Sequence, residues 1–465
     1  MLPAHSMTAR ERIPNPVIHA LDTAAIAFST EASHCVDPQL RAHVIVLQHL
    51  KQQYLLVIPR HHILDLAKLN ARTGGHWQAL SNTSQSPCLM PYSLEALPAI
   101  PSLFALPCLY ASELLANNIT YIESGVADLL IGLSPGALRT LFATAETIEC
   151  SQAITAQHPN HSPAAADAQG IEEAVIALTK RRIHKRLEET LEIPLLSSTA
   201  KRVLRLRTDP LADVDELAAI VETDPSLAAQ VISWAASPYY AAPGKIRSVE
   251  DAITRVLGFD LVINLALGLS LGKKLALPKD QPHSCSSYWQ QAIYTAALIE
   301  GLVRFMPAEK KPESGLAYLA GLLHNFGFAL LAHVFPPHFS LVCRSIEANT
   351  HLSHSIIEHH LLGITREQMG AWLMQCWNIP DEVVYALRYQ DDPMYAGQHA
   401  TYANLTCMAQ LLLAQNNMGR IANPIIPDAL YERLGLSPDK AQLAVQRVLE
   451  AEQALRHLVA QFNQS

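Results

Sequence analysis

Apolar positions along the chain follow two different rhythms, and the change falls near residue 150. Before it, short runs such as Val44-Ile-Val-Leu47, Tyr54-Leu-Leu-Val-Ile58 and Asn118-Ile-Thr-Tyr-Ile122 are bounded by turn residues, with two or three short helical patterns among them. Runs of this kind predict strands, so residues 1–150 are expected to form an α+β domain. Residues 151–170 (SQAITAQHPNHSPAAADAQG) have no apolar period and predict a flexible linker. Beyond them the apolar residues recur at helical spacing: Leu217, Ile220 and Val221 share a face, as do Leu227, Val231 and Ala235, and then Val249, Ala252, Ile253 and Val256. Each stripe begins at capping chemistry, Asp213 with Glu216, Asp224 before Pro225, and Ser248 with Asp251. Further helices are expected near 287–305, 315–333, 339–349, 353–361, 366–376, 380–390 and 399–416, which together make an all-α bundle.

Composition narrows the picture. Of 465 residues, 49% are hydrophobic and only 16% charged, against about 25% charged in an average chain. That excludes a disordered or fibrous protein and leaves material for more than one core. The longest apolar stretch, Leu261 to Gly272, is interrupted by Asn264 and Ser270 and is shorter than the roughly 20 residues a bilayer span needs, so no membrane insertion is expected. Lys and Arg number 34 against 42 Asp and Glu, a formal charge of −8 that repels polyanions on average and argues against DNA binding. Lys180, Arg181, Arg182, Lys185 and Arg186 form a local basic patch, the candidate nucleic-acid contact, but Glu172, Glu173, Glu188 and Glu189 flank it as in a solvated helix. The eight cysteines are dispersed without a CxxC pair, and MLPAHSMTARERIP has no apolar leader core, so a cytoplasmic location is expected; Met1 and Met7 are both candidate starts.

Three motifs invite a chemical reading. Gly-x-Ser-x-Gly occurs at Gly132–Gly136 and Gly268–Gly272. In the first, the residue after Ser134 is Pro135, which has no N–H to give an oxyanion hole, so Ser134 is expected to cap a helix instead. The second lies inside a helical pattern. His351, His354, His359 and His360 cluster with Glu358, but His354-Ser-Ile-Ile-Glu358-His359 does not match an H-x-x-E-H metal spacing, and a polar helix face near a turn is the expectation. No Gly-x-Gly-x-x-Gly or Walker loop is present.

From Ile193 the chain resembles the HDOD domain, the HD-related output domain of bacterial signalling proteins. The resemblance runs through Ile193-Pro-Leu-Leu, Asp224-Pro-Ser-Leu-Ala-Ala-Gln-Val, Ala236-Ser-Pro-Tyr-Tyr240, Pro243-Gly-Lys-Ile-Arg-Ser-Val, Leu257-Gly-Phe-Asp, Leu319-Ala-Gly-Leu-Leu-His-Asn-Phe-Gly327 and Gly370-Ala-Trp-Leu-Met-Gln-Cys-Trp377. It implies a helical bundle related to HD phosphohydrolases, where a His, a His-Asp pair and a later Asp hold metal that activates water. Here the implied pocket holds His324, Asn325 in place of the Asp, Gln291 in place of the upstream His, Arg366 after Leu362-Gly-Ile-Thr, and Tyr389-Gln390 in place of a His-His pair. One ligand of that set remains, so neither metal nor other cofactor is expected.

Residues 15–145 resemble in pattern and order the YbaK/ProX domain, the aminoacyl-tRNA deacylase fold, through His34-Cys-Val-Asp-Pro38, the strand pair, and Tyr121-Ile-Glu-Ser-Gly125. The resemblance implies a lysine near the aminoacyl ester and a Gly-rich loop. The lysine position falls at Ala42, beside His43, and the loop Pro87-Cys-Leu-Met-Pro91-Tyr-Ser93 has no glycine, so Ala42, His43 and Pro91 mark a degenerate pocket. The expected organisation is multidomain: 1–150 the YbaK-like α+β domain, 151–188 linker and basic helix, 189–395 the all-α HDOD bundle, and 396–465 a helical extension. The expected function is non-catalytic signalling, with protein partners for the HDOD domain and a nucleotide or aminoacyl-type ligand for the remnant pockets. The alternative is trans-editing deacylation of mischarged tRNA by the N-terminal domain.

Overall fold

In a computed structural model the protein folds as two compact units, one of residues 1–156, 282–284 and 341–357, the other of 157–281, 285–340 and 358–465. The structure describes residues 9–80, 86–90, 92–154, 159–179, 196–240, 244–272, 280–283, 286–419 and 424–463. As the sequence predicts, the N-terminal region carries the strands and the C-terminal region is helical.

The first unit is organised by the hairpin of Ala42–His49 and Gln52–Pro59, paired antiparallel from Ala42↔Pro59 to His49↔Gln52. Trp77–Ala79 adds to one edge, and Cys108–Tyr110 then Glu146–Thr147 add in parallel to the other. Alternate residues along a strand point to opposite faces. Val44, Val46, Leu55 and Val57 belong to one buried cluster, and Ile45, Leu47, Leu56 and Ile58 to another. Both faces are therefore covered, which is why these strands read as continuous apolar runs rather than alternating ones. Ser29–Ala32, Leu129–Leu133 and Thr120–Glu123 form a second, antiparallel sheet.

Residues 341–357 belong to this first unit although the sequence places them in the middle of the bundle. Asn349 shows why. Its side chain is fully buried, accepts from the Leu64 N–H at 2.7 Å and donates to the Leu64 carbonyl at 3.2 Å. One amide thus satisfies both backbone groups of a buried strand residue, as a neighbouring strand would.

The supposed linker also differs from expectation. Ser151–Ala153 is a strand paired with His62–Leu64. Residues 155–158 lie outside the described set, and Asn160 and Asp167 are buried in the second unit, where Asp167–Thr179 is a helix. Polar and alanine-rich composition hid this order, because Asn160 and Asp167 are held by hydrogen bonds, and the helix buries its apolar residues Ile171 and Val175 only past residue 170.

In the second unit the predicted caps form: Asp213 accepts from Glu216 N–H at 2.9 Å, Asp224 from Ser226 and Leu227 at 3.1 Å, and Ser248 from Asp251 at 3.0 Å. The helix expected at 315–333 is two helices, Ser314–Leu323 and Phe326–Val334, interrupted at His324 and Asn325. Among the described residues, Ser314–Val334 is the stretch long and apolar enough to cross a membrane, outdoing Leu261–Gly272, and 94% of its most apolar window is buried inside the fold. Its apolarity is that of a core element.

Replacing Asn349 by Ala orphans a buried N–H and a buried carbonyl at Leu64, each worth roughly 1–3 kcal/mol. The expected loss of a few kcal/mol is read by urea unfolding, and amide exchange at Leu64 should rise with it.

Candidate functional site

The implied HD pocket is assembled where the apolar run of Ser314–Val334 breaks. Gly327 lies in the first turn of the helix after the break, and a Cβ there would lie 1.8 Å from the Arg366 carbonyl oxygen; a Cβ on the facing Gly370 would lie 3.1 Å from the Gly327 nitrogen. Two glycines let Phe326–Val334 and Arg366–Cys376 cross at backbone contact. The crossing sets Arg366 beside Asn325.

Arg366 Nη1 donates to Asn325 Oδ1 at 3.2 Å, and Asn325 Nδ2 donates to Gln291 Oε1 at 3.2 Å. On its other side Arg366 Nε donates to Glu358 Oε1 at 2.6 Å, and its backbone N–H donates to Glu358 Oε2 at 2.9 Å. Nη2 also meets the Glu358 carboxylate, and the guanidinium lies 4.4 Å from the Phe328 ring centre. The Arg366 and Glu358 side chains are 4% and 0% exposed. Burial pushes the Glu358 carboxyl up, and Arg366 pulls against it. Glu358 is therefore no part of a solvated polar helix face, as the sequence suggests, but the buried counter-charge of an arginine eight residues on.

His324 joins a second chain of bonds. Its Nδ1 donates to the Gly321 carbonyl at 2.7 Å, and its own carbonyl accepts from Gln390 Nε2 at 2.8 Å. Gln410 Nε2 in turn donates to Gln390 Oε1 at 2.8 Å. Tyr389, predicted in the same pocket, stacks on Tyr395 at 4.0 Å and 6°.

The HD resemblance implies a divalent metal, and these residues do not fit one. Three of the pocket's groups are neutral amides, Asn325, Gln291 and Gln390, the first two bonded to one another. A buried guanidinium within 3.2 Å of the Asn325 oxygen would repel an incoming dication. Among the described residues no group of three or more His, Cys, Asp or Glu side chains is placed to hold an ion.

Sequence reasoning missed Glu358 as a member of this site, Gln410, and a neighbouring buried network. Arg388 Nε donates to Asp167 Oδ2 at 2.5 Å, Nη1 to the Asn160 carbonyl at 2.9 Å and Nη2 to the Ser162 carbonyl at 3.0 Å. Asn160 Oδ1 accepts from Thr365 Oγ1 at 2.7 Å, and Thr365 opens the Arg366 helix in a capping box with Gln368. The Thr-x-x-Gln spacing at 365–368 was the available signal.

In the first unit, Ala42 is buried and paired with Pro59, so the position implied for a lysine holds no cation. His43 is buried with its ring 4.1 Å from that of His351, whose Nε2 donates to the His62 carbonyl at 2.9 Å. His351 is thus a core partner rather than one of a polar cluster with Glu358. Burial, then the facing His351, then Arg60 and Arg41, lower His43. Burial pushes His351 down to about 4. Pro91 and the basic patch Lys180, Arg181, Arg182, Lys185 and Arg186 lie outside the described residues.

Two outcomes follow from these charges. Glu358→Gln leaves Arg366 buried without its counter-ion and is expected to cost about 3–5 kcal/mol, while the double change Glu358→Leu with Arg366→Met costs less; chemical denaturation of both variants checks the coupling. For His351 the folded pKa lies below the unfolded value near 6.5, so the stabilisation is complete above about pH 6.5 and is lost as the pH falls toward 4, by up to roughly 3 kcal/mol. Urea midpoints at pH 7 and 4.5 measure the loss, and His351→Gln should shrink it.

Comparison with known proteins places this geometry. The HDOD domain model matches residues 193–393. A crystal structure described as a candidate signal transduction protein from Marinobacter aquaeolei VT8 is 39% identical, with 97% of this chain and 100% of that one covered and a TM-score of 0.88. The crystal structure of an HDOD domain protein of unknown function from Geobacter sulfurreducens shares the fold at 19% identity, covering 64% of this chain and 99% of its own, with a TM-score of 0.51. An uncharacterised protein from Treponema pallidum (strain Nichols) is 22% identical over 222 residues, 46% of this chain; the chain spans only 42% of that curated relative's length. With the HDOD domain matched over residues 193–393 and a relative at 39% identity covered over its full length, the chain belongs to the HDOD family.

Proposed function

We propose that the chain is a signalling or regulatory protein that acts by binding rather than by hydrolysis. The HDOD bundle engages protein partners, and the sheet unit, a degenerate relative of the aminoacyl-tRNA deacylase fold, senses a small ligand. The observation that carries the reading is the Arg366 guanidinium, locked to Glu358 and bonded to the Asn325 amide, standing among the positions where the HD resemblance calls for charged metal ligands. A buried cation held in an ion pair with a buried carboxylate rigidifies a core and cannot be exchanged for a dication without breaking the pair. The signal transduction description of the 39% identical relative supports the same role. In the sheet unit, the buried Ala42 and the neutral His43 supply no positive charge at the position where the resemblance implies a lysine.

The test is metal content after purification together with assays of phosphodiester hydrolysis and of deacylation over mischarged tRNAs. Substoichiometric divalent metal and no turnover are expected. A full complement of metal with hydrolysis of cyclic dinucleotides would overturn the reading of the bundle; turnover of a mischarged tRNA above buffer would replace sensing by editing in the sheet unit.

A further inference from the structure

In the sheet unit two arginines lean on one carboxylate oxygen. Arg41 precedes the strand Ala42–His49 and Arg60 follows Gln52–Pro59, so the register that pairs Ala42 with Pro59 sets them side by side, and the Arg60 N–H donates to the Arg41 carbonyl at 2.7 Å. A bridge from Arg41 to Tyr121 brings in the strand Thr120–Glu123, whose last residue meets both guanidiniums. Arg41 Nη2 donates to Glu123 Oε1 at 2.9 Å, whereas Arg60 Nη1 stops 3.7 Å from the same oxygen, beyond hydrogen-bond reach.

The donors outnumber their acceptors. A guanidinium carries five N–H groups, yet among the described residues this pair makes one side-chain hydrogen bond, and Arg41 Nε is closed off from solvent with no acceptor. The Arg41 and Arg60 side chains are only 15% and 20% exposed, so water satisfies the remainder incompletely. Burial and then the neighbouring Arg41 hold Arg60 below its usual value, with Glu123 and, more weakly, Glu95 pulling the other way. Burial raises Glu123 against the pull of both arginines. His43, neutral and buried nearby, supplies no negative charge.

We propose that Arg41 and Arg60 form a binding site for an oxyanion, the carboxylate or phosphate group of a small ligand. Such a group accepts several N–H bonds from two planar forks at once and separates two like charges that one carboxylate leaves under-compensated. Both side chains keep a solvent-facing part, which gives an anion an approach, and Glu123 is its competitor for Arg41. The site deepens the sensing role proposed for this unit, and anion binding and ester turnover are separate readouts, so either reading can fail alone.

The test is calorimetric titration of the full chain with inorganic phosphate and, separately, with acetate, against chloride at fixed ionic strength. Saturable binding of one anion per chain is expected for at least one of the two, and the tighter one assigns phosphate or carboxylate. Arg60→Gln should weaken it at least tenfold, Glu123→Gln should strengthen it severalfold by removing the competitor, and Arg139→Gln, on an exposed helix position of the same unit, should leave it unchanged. If Arg60→Gln does not fold, Arg60→Lys keeps the charge but loses the fork and should weaken binding severalfold. No saturable binding of either anion, or equal binding in the Arg60 variant and the parent, overturns the proposal.

Discussion

A guanidinium and a carboxylate can leave water together but not singly, and that constraint governs the centre of the helical unit. Arg366 and Glu358 are both closed off from solvent. Once they are, every polar group within reach must take up a remaining donor or acceptor or be left unpaired in a medium where that is expensive. Asn325 accepts from Arg366, Gln291 accepts from Asn325, and Gln291 donates to the Ser286 carbonyl at 2.7 Å. The amides are useful here because each can both donate and accept; an aspartate at 325 would add a second acceptor-only group and leave Gln291 without a donor. The replacements that read in the sequence as lost ligands are, in the fold, a consistent set of complements to an internal cation.

The same logic extends along the Arg366 helix. Its N-cap Thr365 is tied to Asn160, and Asp167 accepts from Gln368 at 3.0 Å as well as from Arg388. The segment 159–179 lies before the residues matched by the family model, yet its polar side chains complete the burial of Arg388. Polar partners from outside the matched region thus belong to the core of the unit that the match defines.

How much of this is visible beforehand depends on the range of the interaction. Caps such as Asp213 and Asp224 are written within three residues and can be read directly, and continuous apolar strands such as Tyr54–Ile58 announce themselves by composition. The pairing of Glu358 with Arg366 spans eight residues across Gly363, whose φ of +77 turns the chain, and no helical period connects them. Asn160 with Thr365 and Asn349 with Leu64 lie more than 200 residues apart in the chain. A buried polar side chain looks the same in sequence as a solvated one until the fold supplies its partner. The break at His324 and Asn325 was hidden for the opposite reason: uniform apolarity on both sides gives no period to interrupt.

The sheet unit's recruitment of residues 341–357 has a consequence for how the chain is made. Its strands are complete by residue 156, but the asparagine that satisfies Leu64 and the histidine that covers His43 emerge from synthesis roughly 200 residues later, a delay on the order of 10–40 s at the usual rates of translation. Through that interval the first unit must wait with part of its buried surface open, so the helical unit is largely synthesised before its predecessor can close.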